Sequence, residues 1–185
     1  AELARVSWYY GKIVGRFGDA EDLRGDGISI LDWVGEFKPK RIDVIPLVEN
    51  FQSLLHADQI VGEYIEHKNP MYMRVFLSRS DPALNYGMIP AVILAKIALA
   101  KLGSLASYRG FPIYPIIGVG SLPFRGHLTP SNLTSFFEEY SGVRTVTIQS
   151  ALKYDFEVET TRALVKALNS KLPEGEPPRF SLQQI

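Results

Sequence analysis

The chain has 185 residues, 46% of them hydrophobic and 22% charged, with 20 Lys and Arg balancing 20 Asp and Glu. That length carries one domain with a real core, and the absence of cysteine excludes a disulfide framework, Cys-ligated zinc, an iron–sulfur cluster and thiol catalysis, which fits a reducing, intracellular setting. A formal charge of zero gives no global field for nucleic acid or an anionic membrane, so any anion has to be met by a local arginine site.

The first residue is Ala, and no n-region, h-region and cleavage site follow it, so the start reads as something other than a signal peptide and the chain as a possible excised piece. A helix over Leu3 to Phe17 and a Gly/Asp-rich loop over Asp19 to Gly27 form a lead-in of about 40 residues. Four strand-then-helix units follow across residues 41–170. The strands are Ile42 to Val48, Tyr72 to Ser78, Phe111 to Gly118 and Val143 to Gln149, each rich in branched or aromatic apolar residues. The first helix, Phe51 to Ile65, places Leu54, Leu55, Ile60, Val61, Tyr64 and Ile65 on one stripe. The second runs from Pro90 to Leu102, where the fixed φ of proline suits a first helical turn. With Pro90, Lys96 and Lys101 in it, Met88 to Leu102 falls short of the roughly 20 apolar residues that cross a bilayer. The third helix, Pro130 to Tyr140, is entered through Thr129, and the fourth, Val158 to Leu168, is capped by Asn169. A linker-like Pro173 to Pro178 lies in a tail over 171–185, and nothing divides the chain into two domains.

Strands alternating with helices imply parallel βα units, hence an α/β fold, either an open doubly wound sheet or part of a (β/α)8 barrel. A complete barrel takes about 250 residues, so four units would be a part of one. Parallel α/β folds build their sites at the carboxyl ends of the strands. Glu49 follows the first strand, and Arg79-Ser-Asp81-Pro-Ala-Leu-Asn-Tyr-Gly87 follows the second as a loop that cannot continue the strand through Pro82. Gly118-Val-Gly120-Ser121-Leu-Pro-Phe-Arg125-Gly-His127 follows the third, and the fourth ends at Gln149. Glu49 and Asp81 are two hard oxygen ligands suited to Mg2+ or Mn2+, while Arg79 and Arg125 could hold phosphate or carboxylate in a fork.

Plainer readings compete. Each carboxylate could be a helix N-cap or first-turn residue, and Gly118-Val-Gly120-Ser121 could be a simple tight turn, since it lacks a third spaced glycine and a Gly-Lys-Ser/Thr ending. His56 and His67 read as surface or packing residues, and His127 stays open because it lies near Arg125. Trp8, Tyr9 and Tyr10 read as core or interface aromatics.

Three runs, Arg74 to Gly87, Ile113 to His127 and Thr145 to Ser150, closely resemble archaeal-type phosphoenolpyruvate carboxylase, a likeness extending from about Arg41 to Asp155. The bacterial and plant carboxylases match more loosely. Their Pro-Leu-Phe-Glu-Thr pattern is similar to Pro46-Leu-Val-Glu-Asn50, which carries a metal-binding glutamate onto Glu49. Their Tyr-Ser-Asp-Ser motif is similar to Arg79-Ser-Asp-Pro82, which carries a metal-binding aspartate onto Asp81. In their glycine loop the second arginine falls on Arg125, whereas the first falls on Val119, the preceding histidine on Ile117 and a lysine on Leu84. Arg79 and His127 are candidates for the missing charge.

The resemblance implies part of a TIM-type barrel that converts phosphoenolpyruvate and bicarbonate to oxaloacetate and phosphate with Mg2+ or Mn2+. It implies metal ligation by Glu49 and Asp81, catalysis by Arg125, Arg79 and His127, and substrate contacts from Gly118, Gly120, Ser121 and Gln149. A cytoplasmic homotetramer is implied as well; the balanced charge and the short apolar run, for their part, point to neither nucleic acid nor membrane as partner. Two other readings remain: a metal-dependent enolpyruvate lyase of aldolase-like type, which needs no bicarbonate, and a noncatalytic piece that must pair with the rest of its chain.

Overall fold

The computed structural model describes residues 2–14, 16, 27–36 and 38–180. Its contacts group into two compact units, 1–44 and 45–185. In the first, α1 (Glu2–Lys12) and α2 (Ile30–Val34) are the helices among the described residues. α1 ends at Lys12, short of the expected Phe17, which lies outside the described residues with most of the expected loop at 19–26. It buries none of its residues; Trp8 and Tyr9 are about half exposed, so they form no core within this chain. α2 is opened by a reciprocal capping box between Ser29 and Asp32.

The second unit is a parallel sheet of β1 (Leu47–Val48), β2 (Met73–Leu77), β3 (Ile113–Val119) and β4 (Thr145–Ile148), in the spatial order β1-β2-β3-β4. Sequential order is what parallel βα units whose crossovers all turn the same way produce, and these four strands show no reversal of order. The first strand is much shorter than the expected Ile42 to Val48. Pro46 has no N–H for a ladder, although its carbonyl still accepts from Phe76 N at 2.9 Å. In β3, Pro115 is tolerated inside a central strand because its carbonyl accepts from Arg144 N, just before β4 begins, so the missing N–H falls where no ladder partner is due.

Alternation divides the sheet faces. Val48, Met73, Val75, Leu77, Ile117 and Val119 are buried and share one face, onto which the core helices pack. The longest of these, α6 (Met88–Arg109), buries Ala91, Leu94, Ala95, Ala98, Leu99, Ala100 and Leu102. At 22 residues it outruns the expected end at Leu102 and is long and apolar enough to span a bilayer, but this buried stripe is that of a core helix. On the opposite face Leu47 and Tyr114 are 54% and 41% exposed, and Arg74 reaches across β3 to donate from Nη2 to Thr145 Oγ1 at 3.1 Å.

The first expected helix is two, α3 (Phe51–Leu55) and α4 (Ala57–Lys68), broken at His56. The Leu55 carbonyl freed near the break accepts from Lys101 Nζ of α6 at 2.6 Å. α5 (Ser80–Tyr86) stands where a loop was expected. A 3-10 turn at Pro130–Asn132 leads into α7 (Leu133–Glu139), α8 (Ala151–Tyr154) is a short addition, and α9 (Val158–Lys171) continues through Asn169, which is therefore no cap. The tail crosses back: Arg144 Nη1 donates to Leu172 O and Gly175 O, and Pro177 packs where Gly103 and Gly142 lack side chains.

Candidate active site at the strand ends

The ladder continues one step past β1 and β2, with Ser78 N–H donating to Val48 O at 2.9 Å, which sets Glu49 level with Ser78. Asn50, not Glu49, caps α3: its side chain accepts from Ser53 N at 2.8 Å while Ser53 Oγ accepts from Asn50 N. Glu49 is exposed, precedes the cap and makes no hydrogen bond or ion pair among the described residues, so the capping explanation of this carboxylate fails. Asp81 sits in the first turn of α5, where the helix dipole favours it, and is exposed. Ser78 Oγ donates to its Oδ2 at 3.1 Å, which orients the carboxylate and leaves Oδ1 available. Two exposed carboxylates following neighbouring strands, Asp81 oriented by Ser78 and Glu49 unbonded among the described residues, fit a hard divalent ion that keeps several waters. No group of three His, Asp or Glu gathers among the described residues, so a cage made wholly of protein is not built there.

Beyond β3 the chain closes a compact loop. Gly120 N–H donates to Arg125 O at 2.7 Å, Leu128 N–H to Gly120 O at 2.9 Å, and the amides of Arg125, Gly126 and His127 bond within the loop. A phosphate cradle needs outward-facing amides, and Gly120 has already committed its own. The two glycines serve close approach instead. A Cβ on Gly118 would stand 2.9 Å from the Phe76 ring, and one on Gly120 would collide with the Gln149 carboxamide. Ser121 is half-buried, and its hydroxyl makes no hydrogen bond among the described residues.

What the loop presents is Arg125. Nη1 donates to Gln149 Oε1 at 2.8 Å, the guanidinium lies 5.4 Å from the Phe124 ring centroid, and the side chain forms no ion pair among the described residues. One of its five N–H donors is used, and the rest remain for an anion. Arg79 is different. It is 2% exposed, donating from Nε to Tyr140 Oη at 2.7 Å and from Nη1 to Phe124 O at 3.2 Å. His127 is exposed at φ 51, and Asn132 Nδ2 lies 3.2 Å from its Nδ1 and donates to its carbonyl. Arg125 and Gln149 are thus brought into direct contact, as are Ser78 and Asp81; Arg79 is drawn beneath the loop, and His127 bonds to Asn132 instead of to either arginine.

Sequence reasoning missed Ser78, Asn50 and Tyr140. The first two had a local signal three residues away, Asp81 and Ser53. Tyr140 had none, since its partner is 61 residues distant. A cavity of about 640 Å3 lined by Phe137, Tyr140, Ser141, Lys171 and Glu174 opens near the start of β4, away from the strand ends where this fold gathers its chemistry.

An arginine without an ion pair among the described residues and two exposed carboxylates, each following a strand of a parallel sheet, mark this as an α/β chain with a candidate ligand site at its carboxyl ends. The chain belongs to the phosphoenolpyruvate carboxylase family, whose model, described as phosphoenolpyruvate carboxylase, matches residues 1–184. It is similar to proteins of that name from Metallosphaera sedula (49% identical over 180 residues, 97% of this chain and 35% of that one) and Caldivirga maquilingensis (46% over 172 residues, 93% and 33%). The one from Pyrococcus horikoshii is 44% identical over 178 residues, covering 96% of this chain and 37% of that protein. The chain therefore spans about a third of the length of these relatives.

Proposed function

We propose that the polypeptide containing this chain carboxylates phosphoenolpyruvate with bicarbonate, releasing oxaloacetate and phosphate. The observation that carries this reading is Arg125, held by Gln149 at the strand ends with its remaining donors unpaired, in a chain of the carboxylase family. In the reaction, a bicarbonate oxygen attacks phosphorus and the bond from phosphorus to the enol oxygen breaks, giving carboxyphosphate and the enolate of pyruvate. Carboxyphosphate then releases phosphate and carbon dioxide, and the enolate carbon captures the carbon dioxide. Each step places charge on oxygen, and Arg125 stabilises the phosphoryl and carboxyphosphate oxygens through preorganised donors. Ser78 keeps Asp81 oriented, and Glu49 carries no internal bond that a ligand must displace. Mg2+ or Mn2+ held by these two carboxylates supplies Lewis-acid stabilisation of anionic oxygen.

Sequential strand order, helices on one face and half-exposed apolar residues on the other support these units as part of a (β/α)8 barrel closed by the rest of the polypeptide. A cytoplasmic homotetramer is part of the same proposal, checked by light scattering on the whole polypeptide and by cell fractionation. In that polypeptide Asp81→Asn and Glu49→Gln abolish metal-dependent turnover and leave the circular dichroism spectrum unchanged; wild-type Mg2+ dependence in both would remove the metal role. Arg125→Ala loses about 100- to 1000-fold in kcat, the usual effect of deleting one oxyanion partner. A loss below about tenfold would take Arg125 out of the site.

A further inference from the structure

The loop bearing Arg125 rests on two buried polar residues that the proposed chemistry does not touch. Arg79 and Tyr140 are each 2% exposed. Tyr140 Oη accepts from Arg79 Nε at 2.7 Å, and Arg79 Nη1 donates to Phe124 O at 3.2 Å, one residue before Arg125. Arg79 Cγ also lies 3.4 Å from the Cβ position of Gly126, one residue after it. Neither arginine has a carboxylate within 4.0 Å among the described residues. A buried guanidinium without a counter-ion is costly, and an apolar side chain would fill the same space at less cost. Only the guanidinium, however, fixes the Phe124 carbonyl from below while Gln149 fixes the Arg125 head from the side.

We propose that Tyr140 and Arg79 are positioning residues: Tyr140 holds the Arg79 guanidinium, Arg79 holds the backbone at Phe124, and together they set where Arg125 presents its free donors. This assigns Arg79 to support of the loop, not to contact with substrate, and it rests on the reading of Arg125 as the anion-binding group.

The test is a double-mutant cycle in the whole polypeptide, with amide hydrogen exchange as a readout independent of turnover. Tyr140→Phe keeps the ring and removes the acceptor. It should lower kcat about tenfold, leave KM for phosphoenolpyruvate within about twofold, and speed exchange of the amides bonded inside residues 120–128. In an Arg125→Ala background the same change should cost nothing further, because its effect passes through Arg125. An equal loss in both backgrounds, or unchanged exchange at 120–128, would overturn the proposal. Should Tyr140→Phe fail to fold, Arg79→Met, neutral and similar in length, carries the same expectations. Should the wild-type polypeptide form no oxaloacetate, the carboxylase reading falls, and the exchange result alone decides the positioning role.

Discussion

Gly120→Ala isolates the contact between Arg125 and Gln149. The backbone at Gly120 is outside the left-handed region occupied by Gly87, Gly110 and Gly126, so alanine meets no conformational penalty there. The obstacle is steric. The new methyl would stand 2.8 Å from Gln149 Cδ and 3.3 Å from Arg125 Cβ, and closer still to Gln149 Oε1. Reaching ordinary contact at 3.4 Å moves the carboxamide carbon by about 0.6 Å, and the oxygen that accepts from Arg125 Nη1 further than that. A hydrogen bond to a charged group contributes about 1.5–3 kcal/mol, which sets a loss of roughly 10- to 100-fold in kcat if Arg125 works from this position. Stability should change by less than about 1 kcal/mol, because the half-buried amide can swing aside and alanine lowers the entropy of the unfolded chain. The assay is kcat and KM for oxaloacetate formation by the whole polypeptide, with thermal unfolding alongside. Adding Gln149→Ala to Gly120→Ala relieves the crowding but leaves Arg125 without its anchor, so the double variant should stay slow. Wild-type kcat in a folded Gly120→Ala protein would refute the reasoning.

Gly126→Ala should behave in the opposite way: φ is 99, and the new methyl would approach Val119 Cγ1 to 2.6 Å, so overpacking alone costs about 1–3 kcal/mol and the unfolding midpoint drops. An unchanged midpoint would contradict the loop packing. Asn50→Ala removes the capping box of α3 at a cost of about 1 kcal/mol, expected as roughly fivefold faster amide exchange at Phe51–Leu55; equal exchange would show that the cap contributes nothing. Burial first, then the neighbouring Glu139, pushes the Tyr140 hydroxyl far above its ordinary 10.0 against the pull of Arg79. A pKa raised by folding means stability that is complete below about pH 10 and lost as pH climbs beyond it, by up to about 1.4 kcal/mol per pH unit. Wild type should therefore weaken above pH 10 more steeply than Tyr140→Phe, and parallel curves would refute the burial argument.

What the sequence made legible is what local pattern encodes. Branched apolar runs locate β2, β3 and β4 to within a few residues, and the carboxyl-end rule points to Glu49, Asp81, Arg125 and Gln149 as candidates. The misreadings turn on proline and glycine. The run after β2 read as a loop, yet it holds α5, with Pro82 as its third residue, where a helix N–H has no intrahelical partner to lose. The second helix read as ending at Leu102, yet α6 runs on through Gly103, where Pro177 occupies the space a side chain would need, and is capped by Gly110 in the left-handed conformation. Beside the break at His56, Lys101 meets the Leu55 carbonyl, and the buried Arg79 meets Tyr140. These are contacts between residues tens of positions apart, which no periodicity announces.

The most direct measurement is product formation from phosphoenolpyruvate by the whole polypeptide with Mg2+, with and without bicarbonate. Oxaloacetate that appears only with bicarbonate, and is lost in Asp81→Asn, is the result the account predicts. A folded polypeptide that gives no oxaloacetate, or consumes phosphoenolpyruvate equally well without bicarbonate, would contradict it.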